Sequence, residues 1–328
     1  MAKRIIKEVQ KIIPPLSPKM HKGQAGRVGV IGGSQDYTGA PFFAAISALR
    51  LGCDLSHVIC DPEAGSVIKT YSPDLIVHPI LNKNNDREAI NSELKDVMSR
   101  LHVIIIGPGL GRADHMQDFA RIAISVAREQ NKYIVLDADS LWLIQKHPEY
   151  IKGYAKAVLT PNVVEFGRLR DALRIPKDAP PESLASKIAH ELGGIVILQK
   201  GAQDIISNGR RTEIVDTEGG LKRCGGQGDI LSGNLGTFLA WGKAYIEGGL
   251  DEGDANDIKI NPEDIPVLAA YGASSVTRVA SRIAFSKLGR GVITGDMLSE
   301  IGVAYQELFG EGGDRGWKGS ALQEGGKL

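Results

Sequence analysis

The sequence predicts an α/β fold, in which one domain has a mostly parallel central sheet flanked by helices on both faces. Short apolar runs alternate with longer amphipathic runs along most of the chain, as in repeated βαβ units. Runs such as 103–106 are continuously apolar, which indicates strands buried on both faces of a parallel sheet. Because neither a linker nor an internal repeat breaks this pattern, one domain is favoured over two.

Composition excludes several classes of protein. The 328 residues are 42% hydrophobic and 24% charged, and 39 basic residues balance 39 acidic ones, so neither nucleic acid nor an anionic membrane is expected as a partner. No apolar run is long enough for a transmembrane helix. Cys53, Cys60 and Cys224 form neither a disulfide framework nor a metal motif, which favours a reducing compartment. We expect a cytoplasmic protein, with a mitochondrial location left open.

Residues 1–20 are assigned to an N-terminal lead-in helix, which is amphipathic and is expected to end at Pro14 and Pro15. The domain is assigned to residues 21–308. It opens with a strand at 27–31, a glycine turn at 32–34 and a helix at 41–49, which is the start of a βαβ unit. The turn lacks the G-x-G-x-x-G spacing, so a classical Rossmann site is discounted, and the loop 34–40 is a candidate pocket wall.

Five further strands are expected before residue 160. They are assigned to 55–60, 75–78, 103–106, 133–136 and 157–159, with helices near 63–70 and 86–100. Polar or glycine residues follow several of these strands directly, and the carboxyl ends of parallel strands lie on one edge of a sheet. The candidates expected to converge on that edge are Gly109, Asp137, Asp139, Asn162 and Glu165.

The second half of the chain contains the remaining elements. A strand at 194–198 leads to Lys200, and a hairpin is predicted from 205–207 and 213–215 through an Asn208-Gly209 turn. Helices are assigned to 230–240, 266–288 and 293–308. Residues 247–264 are interpreted as an acidic surface insertion and 309–328 as a flexible tail.

A glycine-rich loop at 219–229 precedes the helix at 230–240, whose apolar residues lie on one helical face. Such a loop presents backbone N–H groups to an anion at a helix N-terminus. Asp229 has two readings of equal weight: an N-cap of the helix, or a base beside a bound phosphate.

Two other pairs of polar residues also have two readings. Asn162 and Glu165 share a helix face and are suited to hold Mg²⁺, directly or through water, but a capping box is favoured from the fragment alone. Asp137 and Asp139 are candidates for hydroxyl or metal contacts, and Asp139 alternatively caps a helix beginning at Ser140. Lys200 reaches a polyphosphate in one reading and is solvated in the other. The chain contains no zinc motif, no G-x-S-x-G serine elbow and no Walker sequence.

Together these motifs resemble a known family. NxxE at 162–165 and GQGD at 226–229 are similar to motifs of the ribokinase-like superfamily. The GGS at 32–34, YTGAP at 37–41, GPGLG at 107–111, LDAD at 136–139, LTPN at 159–162 and CGGQGD at 224–229 more narrowly resemble the ATP-dependent NAD(P)H-hydrate dehydratases. The resemblance extends from about residue 20 to 308, and the motifs occur in the family's order.

The resemblance implies a single ribokinase-like domain that uses ATP and Mg²⁺ to dehydrate the S forms of NADH hydrate and NADPH hydrate. It implies that Asp229 is the catalytic base. The hydrate would contact Gly109, Asn162, Val163, Val164, Glu165, Phe166, Gly167, Arg168 and Asp229. The nucleotide would contact Lys200, Gly201, Ala202, Gln203, Asp204, Gly219, Gly220, Leu221, Lys222, Arg223, Cys224, Gly225, Gly226, Gln227 and Gly228. Gln227 agrees with eukaryotic members, which supports ATP over ADP.

Two alternative functions are left open. A ribokinase-like kinase of a small molecule such as a vitamin precursor would use the same aspartate, and a nucleotide-binding sensor would lack the base. The resemblance also implies a functional link to an NAD(P)H-hydrate epimerase. A homo-oligomer is left open.

Overall fold

A computed structural model describes residues 2–16, 18, 20–248 and 260–313 of the chain. The predicted insertion lies largely outside the described residues, as does the tail beyond residue 313. No helix of the described part is long and apolar enough to span a membrane.

The described residues form a central sheet. Its strands are β1 (Arg27–Ile31), β2 (Leu55–Ile59), β3 (Ile76–His78), β4 (Val103–Ile106), β5 (Tyr133–Leu136), β6 (Ala157–Leu159), β7 (Val196–Gln199), β8 (Asp204–Ser207) and β9 (Thr212–Val215). Their order in space is β3-β2-β1-β4-β5-β6-β7-β8-β9. The first seven strands are parallel, whereas β8 and β9 are antiparallel to their neighbours. The mostly parallel sheet is therefore confirmed.

Helices cover both faces of this sheet. They are α1 (Ala2–Lys11), α2 (Gly39–Leu51), α3 (Pro62–Tyr71), α4 (Arg87–Ser99), α5 (Asp114–Glu129), α6 (Asp139–Lys146), α7 (Val163–Ala172), α8 (Pro181–Glu191), α9 (Gln227–Ile246), α10 (Ile265–Leu288), α11 (Thr294–Leu298) and α12 (Ile301–Gly313). One core contains residues of α1, α2, α9, α10 and α12, and the other contains residues of α4, α5, α6 and α8.

Strand β4 shows why the sheet needs both layers. Val103 and Ile105 belong to the first core and Ile104 and Ile106 to the second, because successive strand side chains point to opposite faces. All four side chains are fully buried. The continuous apolar run predicted this arrangement correctly.

Helix α9 is more deeply buried than its sequence indicated. The apolar spacing of 230–240 predicts one buried face, but residues 230–242 are all buried. The reason is that α9 packs against both α2 and α10 as well as the sheet. Small residues around most of its circumference allow these close contacts.

Several boundaries differ from the sequence prediction. The hairpin loop spans residues 208–211 rather than Asn208-Gly209 alone, since Ser207 pairs with Thr212. The helix predicted at 293–308 is divided into α11 and α12. Helix α12 also continues to Gly313, past the predicted start of the tail, and Phe309 is fully buried. The lead-in helix α1 belongs to the same core, because Ile5 and Val9 are buried in it.

Candidate active site

The loop before α9 forms a candidate anion pocket. Gly226 is the N-cap of α9 and has a φ of +99°, a left-handed conformation that favours glycine. A Cβ at this position would lie 2.8 Å from Cγ2 of Thr294, and the Thr294 hydroxyl donates to the carbonyl of Gly225. The close packing of Thr294 thus fixes the loop where it enters the helix. Backbone N–H groups in the first turn of a helix lack intrahelical acceptors and favour an anion.

Asp229 is the third residue of α9 and not its cap. The N-cap is Gly226 and makes no side-chain capping bond, so the capping reading of Asp229 is wrong. The half-buried carboxylate accepts no hydrogen bond from any residue that the structure describes. Burial raises the pKa of Asp229 to about 8, with the charges of Asp137 and Asp139 acting in the same direction and that of Lys200 opposing them. Asp229 is therefore a carboxyl group that has no hydrogen-bonding partner among the described residues and a pKa within the range suited to acid–base chemistry.

A buried ion pair lies beside Asp229. Asp137 is 2% exposed, and its Oδ1 lies 2.9 Å from Nζ of Lys200, while Ser232 on α9 donates a hydrogen bond to Oδ2. Burial by itself would raise the pKa of Asp137, but the charge of Lys200 and these hydrogen bonds hold that pKa below its ordinary value. Asp137 remains ionised although it is buried. Neither the pairing with Lys200 nor the part played by Ser232 follows from a local sequence pattern.

Asp139 holds the turn that follows β4. Its carboxylate accepts hydrogen bonds from the backbone N–H of Gly111 at 2.9 Å and from Nε of Arg112 at 3.4 Å. The alternative in which Asp139 caps a helix is wrong, since α6 has no side-chain capping bond. The intervening Ala138 has a φ of +48°, which is rare for a residue with a side chain and is typical of functional sites.

The turn at 107–111 approaches Asp137 closely. Gly107 has a φ of +125°, and a Cβ there would lie 1.8 Å from the carbonyl oxygen of Asp137. The carbonyl of Gly109 accepts hydrogen bonds from the N–H of Gly33 and from the Ser34 hydroxyl, which attaches the turn to the loop after β1. The ends of β1, β4 and β5 are therefore joined into one edge, as the parallel arrangement predicted.

Asn162 and Glu165 form the capping box at the start of α7. Oδ1 of Asn162 accepts from the N–H groups of Val164 and Glu165, and Oε2 of Glu165 accepts from the N–H of Asn162. Burial raises the pKa of Glu165, whereas the charge of Lys200 lowers it. Oε1 of Glu165 accepts no hydrogen bond from the described residues. The amide oxygen of Asn162 is occupied, so Glu165 offers the freer oxygen ligand.

The residues after Asn162 differ in how far their side chains are exposed. Val163 and Val164 are exposed, and Arg168 is exposed on the same helix. Phe166 is buried in the second core, so its side chain does not face solvent. Gly167 has open space where a Cβ would stand.

A second part of the predicted site surrounds a cavity of about 150 Å³ next to the glycine loop. Helix α10 closes one side of the cavity. The lining residues are Lys200, Gly201, Asp204, Gly219, Arg223, Gln227, Gly228, Leu231, Ser274, Thr277, Arg278, Ser281 and Met297. Several of the residues expected to bind a nucleotide thus come together although they lie on separate loops.

Arg278 ties two of these loops together and is not identified by the sequence analysis. Its guanidinium donates to both carboxylate oxygens of Asp204 and to the carbonyls of Gly201, Ala202 and Thr217. Asp204 also accepts from Ser274 and from the N–H of Gly201. Asp204 is therefore a buried anchor for the loops and is not free to contact a ligand.

The remaining residues of the glycine loop are held by α10 and α11. Nε2 of Gln227 donates to the carbonyl of Lys222 and contacts Cys224 and Ser281, while Arg223 donates to the carbonyl of Gly220. Leu221, at the tip of the loop, is 83% exposed. Ala202 and Gln203 are also exposed. In the described part of the chain, no group of three His, Cys, Asp or Glu side chains is placed to hold a metal ion.

This sheet, with a glycine loop, a buried ion pair and Asp229 at one edge, has the ribokinase-like fold. A ribokinase-like superfamily protein of Enterococcus faecalis has a TM-score of 0.71 at 20% identity, with 92% of this chain and 94% of that chain covered. A Bacillus subtilis ADP/ATP-dependent NAD(P)H-hydrate dehydratase, co-crystallised with ATP/Mg²⁺, has a TM-score of 0.67 at 20% identity over 92% of this chain and 97% of its own.

The chain belongs to the NAD(P)H-hydrate dehydratase family, whose model matches residues 28–301. It is 50% identical over 311 residues to the ATP-dependent (S)-NAD(P)H-hydrate dehydratase of Mycosarcoma maydis, covering 94% of this chain and 89% of that protein. The corresponding Homo sapiens protein is 47% identical over 303 residues, covering 92% of this chain and 83% of its own length. The resemblance drawn from the sequence motifs is confirmed.

Proposed function

We propose that this enzyme dehydrates the S forms of NADH hydrate and NADPH hydrate with ATP, releasing NADH or NADPH, ADP and phosphate. The observation that carries the reaction is Asp229, a half-buried carboxylate without a hydrogen-bonding partner among the described residues. Its pKa of about 8 makes it a stronger base than an ordinary aspartate. It lies in the first turn of α9, where backbone N–H groups favour a phosphate.

In the first step, Asp229 takes the proton of the hydroxyl on the damaged ring as that oxygen attacks the γ-phosphorus of ATP. The new O–P bond forms as the bond to the β-phosphate oxygen breaks, so ADP leaves. The glycine loop and the first turn of α9 stabilise the charge on the transferred phosphoryl group through their N–H groups. In the second step, the lone pair of the ring nitrogen expels phosphate by breaking the C–O bond. Loss of a proton from the neighbouring carbon restores the dihydropyridine.

Mg²⁺ fits this site through Glu165 better than through Asn162. Oε1 of Glu165 accepts no hydrogen bond from the described residues and can accept one from a metal-bound water, whereas Oδ1 of Asn162 already accepts two backbone hydrogen bonds. Mg²⁺ commonly keeps several waters and binds through one or two carboxylates and substrate phosphates. When bound, the ion would neutralise charge on the ATP phosphates. The principal role of Asn162 is then to hold the start of α7 beside the hydrate.

We assign the nucleotide to the loops at 200–204 and 219–228, and the hydrate to Gly109 and residues 162–168. Lys200 faces the nucleotide cavity from its ion pair with Asp137, so its charge is available to a phosphate there. Asp204 and Arg278 contribute by positioning the loops, because their polar groups bind one another and the backbone.

A dehydratase that accepts only the S form needs a second activity to convert the R form, so we infer a functional link to a hydrate epimerase. Cys53, Cys60 and Cys224 are free thiols, and free thiols are typical of a reducing compartment such as the cytoplasm.

The direct test is to incubate the purified protein with ATP, MgCl₂ and NADH hydrate. We expect the near-ultraviolet absorbance of the dihydronicotinamide to return, with an equimolar release of phosphate. A phosphorylated product that accumulates without return of the absorbance would instead identify a kinase. Unchanged ATP and hydrate would identify a binding protein.

A further inference from the structure

A second and larger cavity lies at the same edge of the sheet, at the ends of β1 to β4. Its volume is about 390 Å³, and none of its lining residues belongs to the nucleotide cavity. The lining includes Tyr37, Asp61, Lys83, Gly111, Arg112 and Ala113. None of these residues is assigned above to the nucleotide or to the hydrate.

The topology of the sheet indicates that this cavity is a binding site. From β1 the chain proceeds outward through β2 and β3, whereas from β4 it proceeds in the opposite direction through β5 and β6. Ligands of open α/β sheets bind in the crevice at such a switch point, outside the carboxyl ends of the strands. The loops that follow β1 and β4 form two walls of this cavity. The G-x-G-x-x-G turn is missing, but the crevice itself is present.

Hydrogen bonds of the turn at 107–111 join the walls of this cavity to the edge of the sheet that carries Asp139. Gly109 accepts hydrogen bonds from Gly33 and Ser34, at the start of the loop that forms the first wall. Gly111, in the second wall, donates to Asp139, whose charge raises the pKa of Asp229. The turn at 107–111 therefore attaches the wall of the cavity to Asp139, whose charge acts on Asp229.

The lining has the chemistry of a site for a nucleotide. Lys83 forms no hydrogen bond or ion pair with another described residue, and Arg112 is an exposed cation whose ion pair with Asp139 is long, at 3.4 Å. Both are suited to phosphates. Tyr37 is 55% exposed and offers an aromatic face, and the carboxylate of Asp61 lies at the end of β2, where acidic residues of dinucleotide folds contact a ribose.

We propose that this cavity binds the half of the dinucleotide hydrate that is remote from the damaged ring. Its pyrophosphate lies toward Arg112, and its terminal nucleotide lies between Tyr37 and Lys83. From β5 to β3 the edge crosses four strand spacings, about 19 Å, so a dinucleotide reaches the far wall and a single small ring does not. This inference rests on the proposed function.

A binding experiment tests the cavity independently of catalysis. The protein is saturated with a non-hydrolysable ATP analogue and titrated calorimetrically with ADP-ribose and 2′-phospho-ADP-ribose. We expect both to bind to the saturated protein. Ala113→Trp places a large ring in the cavity and should abolish binding, whereas Ala172→Trp, at the exposed end of α7, is the matched control and should retain it.

Lys83→Gln is a second variant, which removes one positive charge without adding bulk. It should weaken the binding of 2′-phospho-ADP-ribose by about tenfold, the effect of one charged hydrogen bond. Equal affinities of the Ala113→Trp, Lys83→Gln and unaltered proteins for the two ligands would overturn the proposal, whether or not the enzyme repairs hydrates.

A kinetic experiment tests the same site in turnover, with the hydrate of reduced nicotinamide mononucleotide as the truncated substrate. Ala113→Trp should lower the kcat/KM ratio of the dinucleotide over the mononucleotide hydrate by at least about tenfold, whereas Ala172→Trp should preserve that ratio. An unchanged ratio in an active Ala113→Trp enzyme would refute the subsite and leave the proposed function intact. Absence of turnover with every hydrate would instead refute the proposed function.

Discussion

The ammonium nitrogen of Lys200 lies 2.9 Å from Oδ1 of Asp137, and this ion pair sets the charge beside Asp229. Asp137 stays ionised because Lys200 and the Ser232 hydroxyl compensate its burial. Its negative charge raises the pKa of Asp229, while the positive charge of Lys200 lowers it. The basicity of the proposed catalyst thus depends on two residues that lie 63 positions apart in the chain.

Replacement of the proposed base should strongly lower turnover without loss of ATP binding. We expect Asp229→Asn to lower kcat by about 10²–10⁴-fold, the usual contribution of a general base. With a pKa near 8, Asp229 is mostly uncharged at neutral pH, so the affinity for ATP should change little. Absorbance recovery and calorimetric ATP binding measure the two quantities. Asp171→Asn, an exposed carboxylate of α7, is the control, and a near-normal kcat for Asp229→Asn would reassign the base.

The activity should fall as the pH drops below about 8, because only ionised Asp229 accepts a proton. Asp137→Asn should move this acidic limb of kcat/KM to lower pH. The substitution removes a charge that raises the pKa of Asp229 and leaves Lys200, which lowers it, without its partner. Profiles of kcat/KM against pH for the two enzymes measure the shift. Superimposable acidic limbs would show that Asp137 does not control the base.

The glycine turn after β4 should be intolerant of a single methyl group. Gly107→Ala places a Cβ within 1.8 Å of the Asp137 carbonyl at a φ that disfavours alanine. We expect a loss of unfolding free energy on the order of 3 kcal/mol. Gly302→Ala in α12 is the control, since its Cβ would meet nothing and alanine favours a helix. Urea unfolding of both variants measures the difference, and equal midpoints would contradict this account.

The parallel sheet and the convergence of its polar ends were predictable because they depend on local patterns. The apolar runs place the parallel strands to within about two residues, and parallel strands bring Gly109, Asp137 and Glu165 to one edge. The family motifs implied that Asp229 is the base, a role that the residues alone left undecided.

The partners of the polar side chains were not predictable, because they depend on packing between distant elements. Asp204 meets Arg278, 74 positions away, on a helix whose sequence shows mainly small residues. Aspartate is a residue type that often forms helix N-caps. The left-handed turn at Gly226, however, starts the helix three residues before its predicted start at residue 230. The break between α11 and α12 likewise has no strong local signal.

The pH dependence of stability should report a stacked histidine pair between β2 and β3. Nδ1 of His57 lies 3.0 Å from Nε2 of His78, and the rings are parallel. Burial lowers the pKa of His57 to about 4, and the charges of His78, Arg100 and Arg27 act in the same direction. The unfolded chain therefore binds a proton at His57 below about pH 6.5 while the folded protein does not. Stability contributed by the neutral ring is present above pH 6.5 and is lost as the pH falls toward 4.

Because Asp229 and His102 also titrate with shifted pKa values, only a comparison between variants isolates this effect. Between pH 7 and pH 5, the unaltered protein should lose about 2 kcal/mol more unfolding free energy than His57→Phe, since a phenyl ring takes up no proton. Urea unfolding of both proteins at the two pH values measures this difference. The phenyl ring fills a similar volume but cannot hydrogen-bond to His78, so a lower stability of the variant that is the same at both pH values would reflect packing and the lost hydrogen bond. Parallel pH dependences would show that His57 takes up its proton equally in the folded and unfolded states.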